Sequence, residues 1–245
     1  MKKNNRQNNK KKTSHRIFLL ILFTVITIAV IFCLLFVKNK FNDKIIINPT
    51  NHPQSSSMNA DWNLTLVNKW TPLPENYEIT LVKVPGGEKV DERIYKPLMQ
   101  MLEAAKKENW NQLPEVVSGY RTSKTQEKLY NKKVTEFKQQ GYSEENAVEQ
   151  AEQWVSLPGY SEHQLGIAVD ITGATYELYF WLQENAHKYG FIFRYPSGKT
   201  EITGVAEEVW HYRYVGIDAA KKIYEQGLCF EEYLSLYTDT GGGIR

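Results

Sequence analysis

The chain has 245 residues, of which 42% are hydrophobic and 13% aromatic, and its 30 Lys plus Arg nearly balance its 28 Asp plus Glu. This length and composition predict one well-cored domain with additional segments and exclude wholesale disorder. Seven of the basic residues lie before position 17 with no acidic residue among them, so the remainder of the chain is acidic on balance. A nucleic-acid-binding domain needs a basic patch of its own, and we therefore expect no nucleic acid partner.

The sequence of residues 1–60 indicates three segments ahead of the domain. Residues 1–16 form a basic tail, and residues 17–37, IFLLILFTVITIAVIFCLLFV, carry no charge, Gly or Pro. A helix of this length would reach roughly 31 Å at about 1.5 Å per residue, enough to cross a bilayer core of about 30 Å. Residues 38–60 are rich in Asn, Ser and Pro and predict a flexible stalk, which leaves 61–245 as the domain.

The apolar run favours an uncleaved transmembrane anchor over a signal peptide. A signal peptide has an apolar stretch of only about 7 to 15 residues and a small-residue cleavage motif, whereas LLFVKNKF follows here. The positive-inside rule keeps the basic tail in the cytoplasm, so the expected location is the cell membrane, single-pass, with the domain outside. Cys33 lies in the run and Cys229 is expected to be a small buried hydrophobe, so no disulfide is predicted.

The sequence pattern of the domain predicts short strands and helices that do not alternate regularly along the chain. Strands are indicated at 62–68, 77–84 and 114–121. Helices are indicated at 91–109, 122–141, 143–155, 176–190, 216–227 and 230–237. Ser123 with Gln126 is a candidate capping box, and Ser143 is a candidate cap for the third helix. The pattern predicts an α+β fold with a small, mainly antiparallel sheet flanked by helices and preceded by one transmembrane helix.

The segment GIAVDIT, residues 166–172, predicts a strand with a core face and a functional face. Alternation points Ile167, Val169 and Ile171 to the core, and the residues sent to the other face are Gly166, Ala168, Asp170 and Thr172. The two small residues leave a hollow beside the carboxylate. His163, just before the strand, can bend back over that hollow, so a metal ion would fit between the two side chains.

A second predicted strand, EEVWHYRYVG at 207–216, supplies the remaining groups. His211 faces away from the aromatic residues, and Glu208, three positions earlier, must come from a turn. Two His and one Asp leave a fourth tetrahedral position for water, as catalytic zinc sites require. Glu208 is then the candidate base for that water.

Each residue also has a structural interpretation when it is taken alone. A single His is more often hydrogen-bonded than metal-bound, and His15, His52 and His187 are interpreted in this way. The combination of His163, Asp170, Glu208 and His211 in one chain favours the metal site.

The motifs SEHQLGIAVD, EVWHYRYVG and SGYRT resemble the zinc D,D-carboxypeptidases of the VanY type, a bacterial cell-wall family that also contains L,D-carboxypeptidases. The resemblance implies His163, Asp170 and His211 as zinc ligands and Glu208 as the general base. It also implies that Arg121 holds an oxyanion or the peptide's terminal carboxylate, and that Ser161, Tyr120 and Gln126 contact substrate. Val209 stands where the family commonly has Pro, which predicts a looser turn around Glu208.

The function implied is a membrane-anchored zinc D,D-carboxypeptidase that removes the terminal D-Ala of peptidoglycan stem peptides or of their lipid-linked precursor. Loss of that terminus would contribute to glycopeptide (vancomycin) resistance. Two alternatives stay open: an L,D-carboxypeptidase trimming tetrapeptides, and a non-catalytic wall-binding module with structural zinc. The oligomeric state is not predicted.

Overall fold

The computed structural model describes residues 62–108 and 113–238. In chain order its strands are β1 (Leu81–Lys83), β2 (Lys89–Asp91), β3 (Glu115–Ser118), β4 (Ala168–Thr172), β5 (Phe191–Phe193) and β6 (His211–Tyr214). Its α-helices are α1 (Glu92–Glu108), α2 (Ser123–Gln139), α3 (Glu144–Glu152), α4 (Glu177–Asn185), α5 (Thr200–Thr203), α6 (Ile217–Gln226) and α7 (Phe230–Thr238). Single 3-10 turns occupy Trp62–Leu64, Glu162–Leu165 and Ala186–Tyr189.

Two antiparallel sheets organise the described part of the chain. β1 and β2 form a two-stranded sheet, and the larger sheet has the order β3-β4-β6-β5. Each neighbouring pair in the larger sheet is antiparallel. The predicted α+β class with a small antiparallel sheet is therefore confirmed.

One face of the larger sheet packs against helices and forms the main core. Val116, Val169, Ile171 and Tyr212 supply the sheet side of that core. Helix α1 buries all five residues predicted for its apolar face, namely Ile94, Leu98, Met101, Leu102 and Ala105. A second cluster joins α6 and α7 to the sheet edge around Ile192 and Val215. The apolar side chains thus occupy one face of β4, and the opposite face is left for polar groups.

The strand expected at 62–68 is wrong. Trp62–Leu64 form a 3-10 turn. The carbonyl oxygens of Asn63 and Thr65 accept hydrogen bonds from Nη2 of Arg213 at 3.1 and 2.9 Å. These carbonyls are thus bonded to a buried guanidinium and not to a neighbouring strand.

The capping box predicted for α2 is also wrong. Thr122, not Ser123, caps the helix, since its Oγ1 accepts a hydrogen bond from the backbone N–H of Thr125 at 3.2 Å. Gln126 is only 1% exposed and its Nε2 donates to the carbonyl of Ser156 at 2.7 Å. Gln126 is turned into the protein and does not reach back to the helix terminus.

Strand β4 begins two residues later than the alternation predicted. Gly166 is not part of the strand but ends the 3-10 turn Glu162–Leu165 with φ 70°, a conformation that favours glycine. The predicted core face is nevertheless confirmed, because Ile167, Val169 and Ile171 are all fully buried. The 3-10 turn Glu162–Leu165 therefore lies directly before the sheet, and β4 starts at Ala168.

The predicted tail, membrane span and stalk at 1–60 lie outside the described residues. Within 62–108 and 113–238, no helix combines the length and hydropathy that crossing a bilayer would require. Cys229 is buried, as expected from the sequence.

Candidate metal centre

Strand pairing brings Asp170 and His211 face to face. In the register of β4 against β6, Asp170 lies directly opposite His211, and on its other side it lies opposite Ser118 of β3. Directly opposed residues of an antiparallel pair have side chains close enough to interact. The separation between Nδ1 of His211 and Oδ1 of Asp170 is 3.0 Å.

The 3-10 turn Glu162–Leu165 positions His163. Its ring donates from Nδ1 to the carbonyl oxygen of Gly119 at 2.7 Å, because that oxygen can only accept. The backbone N–H of Arg121 in turn donates to the carbonyl of His163 at 3.1 Å. These bonds tie the turn to the end of β3 and leave Nε2 of His163 facing Asp170, 3.3 Å from Oδ1.

The three side chains form a donor set that fits a divalent metal ion. One ligand atom from each of His163, Asp170 and His211 lies within 4.8 Å of the others. The two imidazole rings meet edge to face with centroids 4.9 Å apart. Two neutral imidazole nitrogens and one carboxylate oxygen are the ligands expected of a catalytic zinc site with one open position.

The protonation states of two ligands also suit a metal. Burial disfavours the ionised carboxylate, but the charge and hydrogen bonds of the two histidines outweigh it and hold the pKa of Asp170 well below its usual range. Burial lowers the pKa of His163, which favours its neutral form. An ionised carboxylate and a neutral imidazole are the forms that bind metal.

His211 differs from His163 in its charge. Burial opposes its protonation, but hydrogen bonds to Asp170 and Glu162 outweigh burial and raise the pKa of His211 to about 9. A metal ion at this ring therefore displaces a proton from it.

Glu208 enters from the turn before β6, as the sequence predicted. The backbone N–H of His211 donates to the carbonyl of Glu208 at 3.0 Å, and Oε2 of Glu208 lies 3.8 Å from Nδ1 of His211. Burial raises the pKa of Glu208 to about 7, with the charge of His211 opposing the rise. Its carboxyl group thus lies beside the donor set and titrates near neutrality, as a proton-transfer group should.

The site opens into a cavity of about 460 Å³. Its site end is lined by Arg121, Gln126, Ser161, His163, Asp170, Glu208 and His211. It continues along one face of α2 and past the loop after α3, where its lining residues include Leu129, Lys133, Glu136 and Trp154. Tyr120 is not among the lining residues, so its predicted substrate contact stays a prediction without support from its position.

Arg121 points into the centre of the site. Its Nη2 lies 2.6 Å from Oδ2 of Asp170, and its Nε donates to Oγ of Ser118 at 2.8 Å. Its Nη1 is 3.5 Å from Oε1 of Gln126. Its cationic group lies at the cavity wall beside a candidate metal ligand and not on the outer surface.

Sequence reasoning missed the charged residues behind the site. Glu162 and Arg194 are buried and form a 2.8 Å ion pair, and Tyr195 lies against His211 with ring centroids 4.9 Å apart. A signal was available for Arg194, since it directly follows the apolar run FIF of β5. A charged residue in such a position needs a buried partner.

The sheet and the site together define a class of protein. Three donors with one open position and a buried carboxylate beside them form the arrangement of a zinc-dependent hydrolase.

Comparison with known proteins defines the family. Residues 87–217 match the family described as VanY, D-alanyl-D-alanine carboxypeptidase. The chain is 49% identical over 180 residues to a D-alanyl-D-alanine carboxypeptidase of Enterococcus faecalis (strain ATCC 700802 / V583), covering 71% of this chain and 66% of that protein. It is 34% identical to the bifunctional D-Ala-D-Ala dipeptidase and carboxypeptidase VanXYC of Enterococcus gallinarum, covering 69% and 92%. This chain belongs to the VanY family.

Solved structures agree with the sequence comparison. A mutant of the vancomycin resistance D,D-pentapeptidase VanY from a VanB-type cassette, in complex with Zn(II), matches with a TM-score of 0.68 and 50% identity over 71% of this chain and 99% of that one. VanYB in complex with D-alanine-D-alanine matches with a TM-score of 0.69 and 49% identity, covering 72% of this chain and 99% of that one. The LD-carboxypeptidase LdcB matches with a TM-score of 0.59 and 36% identity, covering 71% of this chain and 86% of that one. The zinc complex, with the donor set of this chain, confirms the zinc cofactor expected from the sequence.

The donor set generates a direct test. We expect Asp170→Asn to weaken zinc binding more than 100-fold, because it removes both a ligand oxygen and a charge, and changes beside a ligand already cost about 10- to 100-fold. Asp218→Asn, at an exposed position in α6, is the matched control and should bind zinc like the wild type. Competition with a chelating dye measures both affinities. Equal affinities for the two variants would remove Asp170 from the ligand set.

Proposed function

We propose that this chain is a zinc D,D-carboxypeptidase that hydrolyses the terminal D-Ala from peptidoglycan stem peptides ending in D-Ala-D-Ala. Zinc would be held by His163, Asp170 and His211. The observation that carries the proposal is the position of Glu208, a buried carboxyl group beside that donor set at the end of an open cavity. The D-alanine-D-alanine complex of the similar VanYB supports the choice of substrate.

Bound zinc supplies Lewis-acid chemistry, which polarises a carbonyl group and makes water more acidic. The protein must then accept a proton and hold the substrate. In the proposal, Glu208 takes the proton of the attacking water and later returns it to the leaving amine. Its burial suits this exchange, since a pKa near neutrality allows it to gain and lose a proton with similar ease.

Arg121 is the proposed anion-binding group. A guanidinium can make two parallel hydrogen bonds to a carboxylate, which Lys cannot reproduce. Its location at the cavity wall allows it to hold the terminal carboxylate of the peptide or the oxyanion that forms at the attacked carbonyl. Ser161 and Gln126, both in the lining, are proposed to contact the remainder of the substrate.

The L,D-carboxypeptidase and the wall-binding module are less well supported. Identity and TM-score are both lower for LdcB than for the VanY structures. A structural zinc site closes with a fourth protein ligand and has no use for a base, whereas Glu208 lies beside three donors at a cavity.

We further propose that the domain works outside the cytoplasm, tethered by the apolar run 17–37. The proposal rests on the length of that run and the basic tail before it. The tether would hold the site near stem peptides and their lipid-linked precursor. Because similar proteins are described as vancomycin resistance enzymes, removal of the D-Ala-D-Ala terminus in a glycopeptide-resistant cell is the proposed role.

Substitution of Glu208 tests the mechanism. Glu208→Gln keeps the shape of the side chain but cannot accept a proton, so we expect kcat to fall by about 10² to 10⁴ with zinc content unchanged. Glu207→Gln changes the exposed neighbouring residue and should retain wild-type kcat. D-Ala release and metal analysis are measured on the same samples. Full activity of Glu208→Gln at full zinc occupancy would refute the assigned base.

Product analysis tests the substrate. We expect mass spectrometry to show conversion of a pentapeptide ending in D-Ala-D-Ala to the tetrapeptide, with release of one D-Ala. The tetrapeptide ending in a single D-Ala should remain intact under the same conditions. Cleavage of the tetrapeptide alone would replace the D,D assignment with L,D activity.

Cell fractionation tests the tether. We expect the full-length chain to stay with the membrane after a high-salt wash, since the apolar run would be embedded and not electrostatically attached. Detergent should release it. A soluble form beginning near residue 40 would show instead that the run is a cleaved signal peptide.

A further inference from the structure

Behind the metal centre lies a buried network of four charged side chains. Its members are Glu162, Arg194, Arg213 and Glu231, none of them more than 5% exposed. Two carboxylates and two guanidinium groups balance in charge. Such networks cost desolvation free energy that well-packed apolar residues would not, so their stability alone does not account for their presence.

Both arginines contact the same oxygen of Glu162. Nε of Arg194 donates to Oε1 at 2.8 Å, and Nη1 of Arg213 lies 3.1 Å from it. The second oxygen, Oε2, faces Nε2 of His211 at 3.5 Å. One oxygen is therefore held by cations, and the other is turned toward a candidate metal ligand.

Arg194 has a second carboxylate partner on its far side. Glu231 of α7 binds Arg194 in a two-point contact, with Nη1 to Oε2 at 2.9 Å and Nη2 to Oε1 at 2.6 Å. Nδ2 of Asn68 also donates to Oε1 of Glu231 at 3.0 Å. The network of contacts thus extends from α7 to the ring of His211.

We propose that Glu162 is a positioning residue that orients His211 for metal binding. By accepting from Nε2–H it fixes the tautomer in which the lone pair of Nδ1 faces Asp170 and Glu208. The ring of His163 is oriented in the same way by a backbone group, since its Nδ1 donates to the carbonyl oxygen of Gly119. The two histidines thereby offer opposite ring nitrogens to the ion, each with its other nitrogen held by an acceptor.

The negative charge of Glu162 also increases the electron density that the ring offers to a metal. A carboxylate behind a metal-bound histidine raises the basicity of that ligand. Two guanidinium groups favour the ionised form of Glu162, because Nε of Arg194 and Nη1 of Arg213 lie 2.8 and 3.1 Å from its Oε1. Glu162 thus remains an acceptor for the ring.

The inference rests on the proposed zinc site and is tested by two matched variants of the full-length chain. Glu162→Gln and Glu231→Gln each remove one negative charge that is paired with Arg194, but only the first lies against His211. We expect zinc affinity, measured by chelator competition, to fall about 10- to 100-fold for Glu162→Gln. Glu231→Gln should retain an affinity close to that of the wild type, because Glu162 keeps its contacts with Arg194 and Arg213.

A second readout separates positioning from general loss of stability. The visible absorption of the Co²⁺-substituted protein reports ligand geometry, and we expect its bands to shift for Glu162→Gln and not for Glu231→Gln. Thermal unfolding of the zinc-free variants is measured in parallel, where both should be destabilised. If Glu162→Gln does not fold, Glu162→Asp retains the charge but draws the carboxylate back, and its Co²⁺ bands should shift in the same way.

The outcomes distinguish this inference from the proposed function. Failure of the wild-type chain to bind zinc would overturn the proposed function and this inference together. Tight zinc binding by the wild type, with unchanged affinity and Co²⁺ bands in Glu162→Gln, would overturn only the positioning role. Equal loss of affinity in both Gln variants would also overturn it, because the network would then act through stability alone.

Discussion

The pairing register of β4 with β6 is the constraint on which the site depends. It sets Asp170 directly opposite His211, so the two side chains meet without any loop having to be ordered for the purpose. A slip of one residue would send Asp170 into the apolar core and the core residues into the cavity. The fully buried Val169 and Ile171 oppose that slip, and the packing of one face thereby fixes the chemistry of the other.

The other groups are attached to this pair by short connections. His163 lies in the 3-10 turn just before β4, and Arg121 follows β3, the strand on the other side of β4. A hydrogen bond from the backbone N–H of Arg121 to the carbonyl of His163 joins the two segments. Arg121, His163 and His211, which come from three separate segments, thus all contact the carboxylate of Asp170. A rigid sheet holds such a group more precisely than a loop would.

Several charged side chains around the metal centre are buried. Unpaired, these groups would cost several kcal/mol each, since desolvation of an ion is not repaid without a partner. Here Glu162 is paired with two arginines, and Arg194 is paired again with Glu231. The apolar core on the opposite face supplies the stability that allows this arrangement. This pairing lets ionised groups stay buried beside the cavity of this domain.

The sequence by itself determined the α+β class and the apolar face of α1, because periodicity is a local property of the chain. It also predicted three residues, His163, Asp170 and His211, that the structure brings together. It did not predict that Trp62–Leu64 would turn away from a strand or that Glu162 lies behind His211. Both depend on buried arginines. Arg213 donates to the carbonyl oxygens of Asn63 and Thr65, and Arg194 donates to the carboxylate of Glu162. Partners for a buried charge come from segments distant in the chain, and only tertiary packing decides which of them meet.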